Sequence, residues 1–162
     1  MVAEIERDVA AGTLFLSDNL NPRGRVDYPS LLRNAARTGN DVTLAADINS
    51  RLNTHEKPRQ LKSGGFSKPP VMRSNAHEML AEGEFNRFYI RAVCLRAIED
   101  GIAQVIVFRA KQVEHPRSES EAKIGHAVSA EQLLADLRVH PGVDTALRLP
   151  PGPNSGLSVH LP

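Results

Sequence analysis

From Asn75 to Asp100 the chain runs without a proline and with Gly83 as its sole glycine, and no other stretch restricts the fold so strongly. Asn75 is a good helix cap, Glu78 stands where a carboxylate reaches back to that cap, and Gly101 supplies a stop. Leu80, Phe85, Phe88, Tyr89, Ala92, Val93, Leu95 and Ile98 cover much of the helical circumference. The spacing therefore predicts a long central helix buried on more than one side, with Asn86, Arg87 and Arg91 marking its wetter face. Three of the seven aromatic residues lie in it as Phe85, Phe88 and Tyr89, and there is no Trp, so the rest of the core must be aliphatic.

Downstream, Gln104 to Arg109 reads QVIVFR, a β-branched run directly after a glycine and the clearest strand signal in the chain. Ser129 and Gln132 form a capping box ahead of Leu133, Leu134 and Leu137, which predicts a helix from Ala130 to about Val139. LSVHL, from Leu157 to Leu161, alternates with a period of two. The polar run HPRSESE and the stretch LPPGPNSG read as irregular connections. A helix between two strands permits a parallel crossover pairing without enforcing it.

Upstream, Val2, Ile5 and Val9 suit a short amphipathic helix ending at Gly12. The turn formers of DNLNPRGRVD, Asp18 to Asp27, read as a loop. Tyr28 to Arg37 then reads as a helix, and Asp41 as the cap of another that carries Leu44, Ile48 and Leu52 on one face. A chain of 162 residues suits one independently folding domain. The expected class is α+β: a predominantly helical single domain with a long central helix and a small sheet formed by C-terminal-half strands, about 104–109 and 157–161. Its regions are a helical stretch over 1–52, a basic Gly/Pro-containing loop or arm over 53–74, and an α/β core over 75–162.

The arm is the segment most suggestive of function. It has three prolines and adjacent glycines but no periodicity, and connections of this length within a domain are usually functional or disordered. From Arg51 to Arg73 the chain sets Arg51, Lys57, Arg59, Lys62, Lys68 and Arg73 against Glu56 alone, a net of +5 in a chain of net +1, which leaves −4 for the rest. Such a loop can follow a phosphate backbone by releasing counterions, or lie across an acidic subunit. Phe66 is its sole aromatic, so base stacking has little to work with. Arg87 and Arg91, one turn apart on the helix beside Glu84, add a pair that can grip a phosphate or carboxylate or be satisfied by neighbouring acids.

Catalytic groups are not gathered in the same way. His55, Asn75 and His77 have the residue types of small metal-dependent endonucleases, but a proline-rich loop leads straight into a helix where such sites use a hairpin. Glu78, Glu82 and Glu84 can be read as ligands for a divalent ion or as an exposed face, and Lys111 has Arg109, not an acid, two positions before it. Cys94 has no activating histidine near it, and SGGFSKPP lacks the backbone donors of a phosphate loop. No catalytic residue, metal ligand or cofactor is expected.

The longest apolar run, Val105 to Phe108, is far short of a membrane span. The lone cysteine and the lack of a signal-like apolar run after Met1 point to the cytoplasm, or to a virion assembled there. The resulting expectation is a non-enzymatic binding or assembly module, such as a phage or mobile-element structural component. Its partner would be nucleic acid or an acidic protein surface, with a homo-oligomer or larger assembly as its working form. The alternative is a small metal-dependent nuclease, or other phosphoryl-handling enzyme, built on the acidic start of the central helix.

Overall fold

A computed structural model describes residues 1–152 and 155–162. The chain is α+β and 48% helical, with one long helix and a small antiparallel sheet in its C-terminal half. Backbone neighbours group into two compact units, Val2–Phe85 and Asn86–Pro162 with Met1, and the division falls inside the long helix.

The first unit begins with α1 (Val2–Ala10), α2 (Pro22–Thr38) and α3 (Asp41–Asn49). α1 ends before Gly12 as expected, and it buries Glu4 and Asp8 beside Ile5. α2 starts well before Tyr28, which corrects the loop expected over 18–27. Asn21 caps it, accepting a hydrogen bond from the Gly24 amide at 2.8 Å, and Pro22 occupies the first turn, where its missing N–H costs nothing. Asn-Pro here opens a helix, although the same pair serves equally well in turns. Gly24 is fixed by close approach, because an added Cβ would lie 2.4 Å from the Arg51 carbonyl oxygen. α3 is capped by Asn40, one residue before the expected Asp41, in a reciprocal box with Thr43. Tyr28, Leu32 and Ala35 of α2 and Leu44, Ala45 and Ile48 of α3 are buried. Arg33 and Arg37 of α2 both reach Glu6 of α1, at 3.1 and 3.6 Å.

The long helix α4 (Ala76–Glu99) and the strand β1 (Gln104–Arg109) lie where the pattern predicted. The polar connection after β1 holds one turn of helix, α5 (Ser118–Glu121), and a short strand, β2 (Ala127–Ser129), too brief to show a periodicity. α6 (Ala130–Val139) follows, with Ser129 accepting from the Gln132 amide, then α7 (Val143–Ala146) and β3 (Leu157–His160). The sheet order is β2-β1-β3, antiparallel throughout, with Val107 opposite Val159 and Arg109 opposite Leu157. β3 therefore enters beside the end of β1, and the pairing is not the parallel crossover that the intervening helix permitted. Of the irregular connection expected over 149–156, Pro153 and Asn154 lie outside the described residues.

The core of this second unit joins Val105, Val107, Leu157 and Val159 from one face of the sheet to Leu133, Leu134 and Leu137 of α6 and to Ile90, Cys94 and Ala97 of α4. Removing a Val or Leu side chain from water contributes about 1.5–3 kcal/mol, so this cluster is the main source of the unit's stability. Burial also holds the Cys94 thiol proton, with its pKa pushed up to about 12.

Candidate functional site

The basic loop or arm has a fold of its own. It folds back on itself as an irregular antiparallel hairpin between Thr54 and Met72, with single bridges pairing His55 to Val71 and Gln60 to Phe66. The Glu56 amide donates to the Pro70 carbonyl at 2.8 Å, Met72 to Thr54 at 2.9 Å, and Ser67 to Arg59 at 2.8 Å. At the tip Leu61 donates to the Gly65 carbonyl, while Gly64 and Gly65 take φ of 87° and 77°. Two successive left-handed residues explain why the turn is Gly-Gly. The prolines, which make the stretch look like a breaker, occupy positions from which the ladder draws no amide.

The base of the hairpin is stitched to the segment before α2. Asn53 donates from its backbone to the Asn19 carbonyl and from its side chain to that of Asp18, and Asn21 donates to the Arg51 carbonyl. Ion pairs continue this attachment. Arg51 meets Asp27 at 2.9 Å, Lys57 meets Asp18 at 2.8 Å, and Arg73 and Arg59 meet Glu56 at 2.7 and 3.5 Å. These cations hold their carboxyl partners below the usual range, with a hydrogen bond from Lys57 dominating at Asp18, from Arg51 at Asp27 and from Arg73 at Glu56. Four of the six cations singled out in the sequence thus serve first to hold the hairpin.

Lys62 and Lys68 differ. Among the described residues no ion pair involves either ammonium, and both side chains are exposed near the tip. They flank Phe66, which is 71% exposed, and Leu61, at 45%. An added Cβ at Gly64 or Gly65 would meet nothing within 4 Å, so the tip stands in open space.

Arg87 and Arg91 correct the expected wet face of α4: they are 3% and 0% exposed, and both guanidinium groups lie over the Phe88 ring, at 4.6 and 4.7 Å from its centre. As buried groups they are not part of an accessible contact surface. The exposed stripe at the start of the helix is instead Glu78, Met79 and Gly83, with Glu82 half-buried beside them and Glu84 buried. Gly83 sits in mid-helix, where glycine costs about 1 kcal/mol relative to alanine, and an added Cβ would meet nothing within 4 Å.

Among the described residues no group of three or more His, Cys, Asp or Glu side chains is placed to hold a metal ion. His55 instead shares a hydrogen bond with Thr54 at 3.0 Å. A shallow hollow lined by Asp136, His140, Thr145, Ala146 and Arg148 is open to solvent, and across it Arg148 and Asp136 are 3.9 Å apart. No helix of the described residues is long and apolar enough to cross a membrane.

No family model, curated protein or solved structure matches the chain. The class of site is therefore defined by geometry alone: a charge-stapled hairpin presenting two lysines and two large apolar side chains. Sequence reasoning found the arm and its cations but missed Asp18 and Asp27 as partners. The available signal was the −4 carried by the rest of the chain, which does not say which acids will face the arm.

Proposed function

We propose that the protein is a non-enzymatic assembly module whose hairpin arm docks on a partner's acidic, partly apolar protein surface. The observation that carries this reading is the tip: Leu61, Lys62, Phe66 and Lys68 are exposed together on a turn whose stem is already held by its own ion pairs. A preorganised loop loses little ordering entropy on binding, and an exposed aromatic beside cations is the composition of an interface anchor.

Nucleic acid is the second reading, and Lys62 and Lys68 are what favour it. It has less support, because two available lysines give a salt dependence of log K with a slope of only about −2, whereas the remaining arm cations would first have to leave Asp18, Asp27 and Glu56.

The test is light scattering of the protein alone and fluorescence anisotropy with a short duplex, each at about 50 mM and about 200 mM salt. Wild type is compared with the triple variant Lys62→Glu, Phe66→Ser, Lys68→Glu. Association that disappears in the variant while its far-UV spectrum is unchanged supports the arm. Wild type that neither associates nor binds the duplex, or a variant that does either as well as wild type, overturns it.

A further inference from the structure

We infer that the arm's partner is a second copy of this chain, and that its receptor is the exposed stripe of α4 formed by Glu78, Met79 and Gly83. The inference rests on the arm reading and adds the identity of the surface. Three observations support it. The first is charge: Lys62 and Lys68 lie beside the arm's apolar tip, and Glu78, 60% exposed, lies beside Met79 on the α4 stripe, so the two surfaces are opposite in sign. The second is shape. Gly83 leaves an open notch one helical turn from Met79, whose side chain is 45% exposed, and a flat ring such as Phe66 fits beside a thioether over a missing side chain. The third is the glycine itself: a residue unfavourable in mid-helix, with no neighbour among the described residues that needs the space, is accounted for by a neighbour from outside.

Because arm and receptor are different patches, the contact is heterologous, and copies add head to tail into a ring or an open filament. Hydrophobic seating sets the lifetime of the contact, while attraction between the lysines and Glu78 sets its orientation and makes it sensitive to salt.

The deciding experiment uses the full chain with two single substitutions at exposed positions, Phe66→Ser in the arm and Gly83→Gln in the receptor, followed by sedimentation velocity over a concentration series. Wild type is expected to form species larger than a dimer at low salt. Each variant alone is expected to associate at least about tenfold more weakly. An equimolar mixture is expected to form a two-chain species and stop, because an intact arm on one variant meets an intact receptor on the other while the remaining ends are blocked. Wild type that stays monomeric at every concentration overturns the inference; duplex binding by that monomer then favours the nucleic-acid reading of the arm, and absence of duplex binding overturns the arm reading as well. Assembly that survives Phe66→Ser overturns both. Assembly lost with Phe66→Ser but kept with Gly83→Gln leaves the arm reading standing and removes α4 as its receptor.

Discussion

The hairpin arm and the three-stranded sheet are both antiparallel β structure, yet different forces hold them. In the sheet, Val105, Val107, Leu157 and Val159 are fully removed from water against α6 and α4. In the arm, His55–Val71 and Gln60–Phe66 are isolated bridges, and Leu61, Phe66 and Val71 face solvent. What orders the arm is a short set of backbone hydrogen bonds and the ion pairs of Asp18, Asp27 and Glu56. Burial responds little to pH or salt near neutrality, whereas exposed pairs are screened over about 10 Å at 0.1 M salt. One backbone pattern therefore gives a rigid body in the second unit and, in the first, a segment that opens locally without global unfolding.

The largest contrast comes from truncating one apolar side chain in each region. Leu137→Ala removes a fully buried side chain and should lower the unfolding free energy by about 2–5 kcal/mol in urea titration, whereas Phe66→Ala should change it by less than about 0.5 kcal/mol. Equal losses would mean that the tip is packed rather than presented.

Backbone geometry gives the next effect. Gly65→Ala forces a Cβ into the left-handed region and should cost the turn about 1 kcal/mol, seen as faster hydrogen exchange at the amides of Glu56, Ser67 and Met72 with the sheet amides unchanged. Arg148 provides the opposite case. It takes φ of 62° at the end of α7, where the Leu149 amide bonds back to the Asp144 carbonyl in the manner of a glycine-terminated helix. Arg148→Gly should relieve that cost and raise stability by about 0.5–1 kcal/mol, measurable as a higher melting temperature.

The smallest global effect should accompany acid. The carboxyl groups of Asp18, Asp27 and Glu56 are held below their ordinary range by their cations. Their contribution is therefore complete above about pH 4–5 and is lost as pH falls through the depressed values. Protection of the arm amides, taken relative to their intrinsic exchange rates, should fall below about pH 4 and stay level through near-neutral titration, and Glu56→Gln should bring part of that loss to neutral pH by releasing Arg73 and Arg59. An arm whose protection is unchanged by both would owe its order to the backbone alone.

The helix α4, the strand at Gln104–Arg109, the helix at Ala130–Val139 and the strand opening at Leu157 were all legible in the sequence. Each is a local matter, since periodicity, caps and a glycine stop act within a few residues. The position and sign of the arm's charge were legible for the same reason. Tertiary structure alone decided the antiparallel order of the sheet, the inclusion of β2, the burial of Arg87 and Arg91, and the pairing of Arg51 and Lys57 with Asp27 and Asp18. A cation on a helix or loop looks the same in sequence whether it faces water or a carboxylate. The choice depends on which segments are brought within a few ångströms of each other, and a close ion pair between residues distant in the chain forms only when folding brings them together.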